Sequence, residues 1–153
     1  MSLLFALLWV LLLGVVLPGM LPFLAAERFR ALVSLLTGWL AVDYAVVCVA
    51  VVTLHAGVYG ALFSGFLTAG PDAPGSIVDF LGAAVASHVV LPAALSVGAA
   101  TLLPRRGAWT PTGEGWDGRV VLALATAWYA LVTGGIVVLV AAGFVSVVSN
   151  LPT

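Results

Sequence analysis

Long apolar runs separated by short polar breaks dominate the sequence. A helix needs about 20 apolar residues to cross a hydrocarbon core of about 30 Å, and four runs reach that length. Short connections between them favour an all-α, up-and-down four-helix bundle, so we expect a single membrane domain. The predicted helices occupy residues 3–24, either 31–57 or 44–66, 77–103 and 119–149 of the domain 1–153.

The amino-acid composition favours an integral membrane protein. The 153 residues are 63% hydrophobic and 7% charged, against about 45–50% and about 25% in soluble domains. Five arginines and a formal net charge of −1 leave too little positive charge for a nucleic-acid-binding face. The single cysteine, Cys48, excludes an intrachain disulfide and a cysteine-rich metal site. We therefore expect the lipid bilayer, and no nucleic acid, as a partner.

The distribution of arginine predicts the orientation in the membrane. Loops on the cytoplasmic side of a membrane carry an excess of positive charge. Here the arginines lie between helices one and two and between helices three and four, at Arg28, Arg30, Arg105, Arg106 and Arg119. The pattern predicts a multi-pass protein of the cell membrane with loops 25–30 and 104–118 in the cytoplasm and both termini outside.

Small residues at helical spacing predict which helix faces pack together. Helix four carries Thr126, Ala130 and Gly134 at four-residue spacing, and helix two carries Ser34 and Gly38. In lipid, helices associate where small side chains let their backbones approach closely. We therefore expect these five positions to lie at helix–helix contacts.

Ionisable side chains inside apolar runs are the candidates for chemistry. An aspartate at the centre of a membrane helix costs about 2.5–3.5 kcal/mol on insertion scales, so Asp43 requires an explanation. If helix two begins at residue 31, Asp43 and His88 both lie near the membrane midplane and pair as a proton relay. His55 and Asp79 then share a depth near the outer end and form a second polar step.

A later start of helix two gives a different chemistry. If the helix begins at Tyr44, His55 and His88 share one depth, and two facing imidazoles are the ligands of a bis-histidine haem b. Pro92 follows His88 by four residues and removes the amide that the carbonyl of His88 would bond in a regular helix. A polar pocket beside His88 is expected, filled by a water, by a ligand or by a hydroxyl of helix four such as Thr126, Tyr129 or Thr133.

The sequence carries no phosphate-binding glycine loop, zinc-binding histidine pattern or nucleophile elbow. We therefore expect an accessory or packing subunit of a larger membrane complex, respiratory or ion-translocating, or a homo-oligomer, without independent catalytic activity or cofactor. The alternatives are a proton or ion transporter that uses Asp43 and His88, and a haem-binding membrane anchor that uses His55 and His88.

Overall fold

All the regular secondary structure is helical in the computed structural model, which describes residues 3–70 and 76–149. The helices are α1 Leu3–Met20, α2 Glu27–Val33, α3 Leu40–Ala69, α4 Ser76–Arg105 and α5 Gly118–Ser149, and a 3₁₀ segment, Leu21–Ala25, follows α1. This confirms the all-α prediction for the described residues. Residues 71–75 and the two chain termini lie outside the described ranges.

Three of the helices are long and apolar enough to cross a membrane. They are α3, α4 and the part of α5 from Gly118 to Val140. The described part of the first run gives a shorter apolar helical stretch, Trp9–Ala25. Three of the four predicted long apolar helices are therefore present in the described residues, each long and apolar enough to span a membrane.

The second apolar run is divided between two helices. α2 ends at Val33, residues 34–39 form a turn, and α3 begins at Leu40. The start of α3 therefore lies between the two predicted ones. Ser34 and Gly38 lie in this turn, where the Ser34 hydroxyl donates to the Arg30 carbonyl at 2.8 Å and Gly38 adopts a φ of 81°. The expectation that these two residues form a helix-packing stripe is wrong, because the helix there has already ended.

Side chains from two other helices bond the carboxyl end of α1. A helix leaves its last four carbonyls without intrahelical donors, and Pro22 in the 3₁₀ segment has no amide to supply. The Tyr44 hydroxyl of α3 donates to the Leu17 carbonyl, and the Trp128 indole of α5 donates to the Gly19 carbonyl at 3.0 Å. These bonds fix α1 against α3 and α5, which are also the long helices that it contacts.

The small residues of α5 face α4. A side chain built at Gly134 would have its Cβ 3.6 Å from the Cβ of His88, so the two helices approach closely there. Two turns earlier, the Thr126 hydroxyl is hydrogen-bonded to Ser96 of α4. Both ends of the predicted stripe therefore lie at one helix–helix contact, and Ala130, between them, is half-buried.

One end of the molecule contains all five arginines, and we call it the arginine end. It comprises α2, the last residues of α4, residues 106–117 and the start of α5. The Trp109 indole donates to the Arg28 carbonyl at 2.9 Å, which joins the segment after α4 to α2. Trp109 is buried by this contact, with 4% of its surface exposed.

Candidate functional site

A buried group of polar side chains lies halfway along the three long helices. His55 is the sixteenth of the 30 residues of α3, His88 the thirteenth of the 30 of α4, and Thr133 the sixteenth of the 32 of α5. These three side chains are 0%, 1% and 0% exposed. With the hydroxyls around them they form what we call the central cluster: His55, Tyr59, Ser87, His88, Tyr129 and Thr133.

The first hydrogen-bond chain of the cluster passes through His55. The Ser87 hydroxyl donates its one proton to the Ala84 carbonyl at 2.6 Å, so its oxygen accepts from Nε2–H of His55 at 3.0 Å. Nδ1 of His55 is then an acceptor in the neutral ring, and it takes the hydroxyl proton of Tyr129 at 2.9 Å. The chain thus leads from α5 through α3 to α4.

The second hydrogen-bond chain has the same pattern of donors and acceptors around His88. The Thr133 hydroxyl donates to the Tyr129 carbonyl at 2.6 Å, so its oxygen accepts from Nδ1–H of His88 at 2.8 Å. Nε2 of His88 accepts the hydroxyl proton of Tyr59. This chain leads from α3 through α4 to α5, so each chain joins all three helices.

Together the two chains satisfy every ring nitrogen of both imidazoles from within the protein. A buried polar group without a partner is costly, particularly where no water is available. The central cluster avoids that cost because each neutral ring gives one proton to a serine or threonine oxygen and takes one from a tyrosine. The arrangement requires opposite tautomers, with the proton on Nε2 in His55 and on Nδ1 in His88.

The two histidines do not fit a bis-histidine haem. Their ring centroids are 4.2 Å apart with the ring planes inclined by 33°, so the rings contact each other and leave no space for a porphyrin between them. All four ring nitrogens bond hydroxyls. In the described part of the chain, no three His, Cys, Asp or Glu side chains are grouped so that they could hold a metal ion.

Asp43 lies away from the central cluster, in the first turn of α3. It precedes His55 by twelve positions, which is about 18 Å along a helix. The buried carboxylate accepts from the Thr37 hydroxyl at 2.7 Å and from the amides of Thr37 and Gly38 at 2.9 and 3.1 Å. The structure therefore does not bring Asp43 and His88 together, and Asp43 instead closes the turn before α3.

The predicted pairing of His55 with Asp79 is also absent from the residues described. Asp79 lies in the first turn of α4 and is exposed. Since α4 begins at Ser76, His88 follows its start by twelve positions, and His55 contacts α4 at that deeper level. The two histidines do share one depth, as the later start of helix two predicts.

Sequence reasoning missed Tyr59. Its signal is a spacing of four residues from His55, which places both side chains on one face of α3. The same spacing separates Tyr129 from Thr133 on α5. A histidine and a tyrosine four residues apart in an apolar helix therefore indicate a polar face that points toward the protein interior.

Comparison with known proteins assigns the chain to a family. The model of the family described as Domain of unknown function (DUF8162) matches residues 1–153. The chain belongs to this family. No curated protein and no solved structure matches it.

The DUF8162 description names no substrate, cofactor or activity.

Proposed function

We propose that the protein is a small integral membrane packing subunit that associates laterally with other membrane subunits. The observation that carries the proposal is the saturation of the central cluster, in which the nitrogens of both histidines bond hydroxyls of the same chain. Such a cluster joins three helices into one unit and keeps no donor or acceptor on the rings for a substrate. The outer faces of the helices are then the surfaces left for interactions.

Those outer faces support the proposal because they are apolar and uncovered. In the most apolar stretch of each long helix only 17–28% is buried inside the protein. One face of α3 also has a shallow, open depression of about 680 Å³, which we call the groove. Small side chains contribute much of its lining, and small residues are what neighbouring membrane helices need for close packing. The lining residues are Ala50, Thr53, Leu54, Gly57, Val58 and Ala61.

The proposal includes an up-and-down arrangement of four crossings in the cell membrane, with α1 as the fourth. α1 has 18 residues, or about 27 Å at 1.5 Å per residue, and it contacts both α3 and α5. The positive-inside rule would put the arginine end, with loops 25–30 and 104–118, in the cytoplasm and both termini outside.

A glycine substitution in the groove tests the packing proposal. A Cβ at Gly57 meets no atom of this chain within 4 Å, and the same is true of Gly82 on α4. Gly57→Leu should therefore leave the fold intact but block a helix that packs into the groove. Gly82→Leu is the matched control on another exposed face.

The measurement is co-purification of the tagged chain in a mild detergent, followed by mass determination of the intact complex. We expect partner subunits or additional copies of the chain with the wild type and with Gly82→Leu, and their loss with Gly57→Leu. A stable monomer without partners in the wild type would refute the proposal.

Proton transfer across the membrane is the second candidate function. The observation in its favour is that both chains of the cluster alternate donors and acceptors without a break, from tyrosine through histidine to hydroxyl. Each chain ends on a backbone carbonyl, which cannot pass a proton on. Packing is therefore the better supported function.

Proteoliposomes with an imposed pH gradient distinguish the two functions. Tyr59→Phe removes the hydroxyl that begins the His88 chain, whereas Tyr44→Phe removes a hydroxyl of α3 outside the cluster. A relay requires a proton flux that Tyr59→Phe abolishes and Tyr44→Phe preserves. A flux equal to that of empty liposomes removes the transport candidate.

A further inference from the structure

The arginine end has cationic side chains without anionic partners in the described ranges. No arginine forms an ion pair with a carboxylate there. Of the acidic residues at this end, Asp43 bonds residues 37 and 38, and Asp117 accepts the amide of Arg119 at 2.8 Å. Glu27 and Glu114 are exposed. The positive charge of this end is therefore open to an external anion.

Arg28 packs against the segment that follows α4. Its carbonyl accepts the indole N–H of Trp109, and its guanidinium occupies the place where Gly113 lacks a side chain. A Cβ at Gly113 would lie 1.5 Å from Nη2 of Arg28, so a larger residue there would displace the guanidinium. Gly118 is similarly close, with its Cβ position 3.0 Å from the Cβ of Arg28.

The guanidinium of Arg28 has an unused donor. Its Nε is buried and has no hydrogen-bond partner in the part of the chain that the structure describes. A buried donor without a partner leaves the half-buried guanidinium poorly solvated, and the fork of its two terminal Nη groups matches two oxygens of a phosphate. The side chain is therefore suited to bind an anion through its terminal nitrogens.

The residues around Arg28 indicate that the anion is the headgroup of a lipid with acyl chains. Trp39 and Trp116 lie at the same end and are 75% and 70% exposed, and exposed tryptophans are typical of the headgroup level of a bilayer. On α5, just beyond the arginine end, Val120 and Leu124 are about half exposed. A phosphate bound at Arg28 would thus lie at the boundary between charged and apolar surfaces.

We propose that Arg28, framed by Trp109 and Gly113, binds the phosphate of an anionic phospholipid headgroup. The other arginines of this end contribute the general attraction for an anionic surface, and Arg28 supplies the specific bidentate contact. This lipid site is independent of the packing function proposed above.

Native mass spectrometry of the detergent-purified protein tests the site, with phosphatidylglycerol and phosphatidylcholine as probes. We expect phosphatidylglycerol to bind more tightly, and Arg28→Gln to weaken its binding about tenfold or more, because the charge-assisted hydrogen bonds to the phosphate are lost. Arg106→Gln, at an exposed position just after α4, is the matched control and should change binding less than twofold. Circular dichroism checks that each variant retains its helices.

Arg28→Lys provides a second readout if Arg28→Gln fails to fold. Lysine keeps the charge but lacks the fork, so binding should weaken although the net charge is unchanged. Equal binding by the wild type and the Arg28 variants would overturn the proposal, as would equal losses for Arg28→Gln and Arg106→Gln. Displacement of the lipid by millimolar inorganic phosphate would assign the site to a free anion and also overturn it.

Discussion

At the scale of single residues, the central cluster gives the buried imidazoles of His55 and His88 a complete set of hydrogen-bond partners. A histidine inside a membrane helix must find a donor and an acceptor, because the bilayer supplies neither. Ser87 and Thr133 act as acceptors only because their own protons are already given to backbone carbonyls. The tyrosines then have to be the donors, and this division of roles fixes the tautomer of each ring.

The first prediction concerns those tautomers. Nitrogen-15 NMR of the protein in lipid should find His55 protonated on Nε2 and His88 protonated on Nδ1. Thr133→Val removes the acceptor of His88 only, so it should shift the resonances of His88 more than those of His55. The same tautomer in both rings would contradict the hydrogen-bond chains described above.

A second prediction concerns the close approach of α5 to His88. The Cβ position of Gly134 is in ordinary contact with His88, whereas that of Gly135 has no neighbour within 4 Å. Gly134→Leu should lower the free energy of unfolding by about 1–3 kcal/mol, because the larger side chain forces the helices apart. Gly135→Leu, one position along, should be nearly neutral.

Unfolding in mixed micelles with increasing dodecyl sulfate measures both glycine variants under one condition. Equal destabilisation by the two leucines would mean that α4 does not approach α5 at this glycine. Gly134→Ala should be tolerated, since a single Cβ at 3.6 Å is an ordinary van der Waals contact.

At the scale of helices, the turn before α3 decides where the cluster is built. The carboxylate of Asp43 reaches back to residues 37 and 38, and it lies near the amino end of the helix, where negative charge is favoured. Gly38 supplies the positive φ that the turn requires. These local bonds start α3 at Leu40, which brings His55 to the level of His88.

The third prediction therefore assigns Asp43 to the fold. Asp43→Asn replaces one accepting oxygen by an NH₂ group and removes the charge, so the thermal unfolding midpoint should fall by a few degrees. Asp79→Asn, at an exposed position in the first turn of α4, is the control and should leave the midpoint nearly unchanged. An unchanged midpoint for Asp43→Asn would show that the turn forms without its carboxylate bonds.

At the scale of the whole molecule, the arginine end and the opposite end differ in what they expose. All five arginines lie at the first, while the last residues of α3 and the first residues of α4 lie at the second. If the positive-inside rule holds, only the second should be reachable from outside the cell.

Labelling of single cysteines in intact cells tests that orientation. In a Cys48→Ser background, a membrane-impermeant maleimide should label Ala73→Cys directly and Ala108→Cys only after the membrane is made permeable. Ala108 is exposed at the arginine end, so its labelling after permeabilisation controls for access. The reverse pattern would invert the proposed topology.

The sequence by itself determined the helical class and the gathering of arginine at one end. Hydropathy and charge are sums over neighbouring residues, so a run of 20 apolar residues or a pair of arginines is visible without knowledge of the fold. The stripe on α5 from Thr126 to Gly134 was readable for the same reason, since residues four apart share a helix face. The sequence also singled out Asp43, His55 and His88.

Only the tertiary structure decided which of these side chains meet. The distance of a residue from the start of its helix depends on where the helix begins. With α3 beginning at residue 40 and not at residue 31, His55 lies about 14 Å closer to the helix start, at 1.5 Å per residue. That start is fixed by the bonds of Asp43 to Thr37 and Gly38, which no hydropathy pattern encodes. The partners of each histidine come from other helices, so they were fixed only when α3, α4 and α5 packed together.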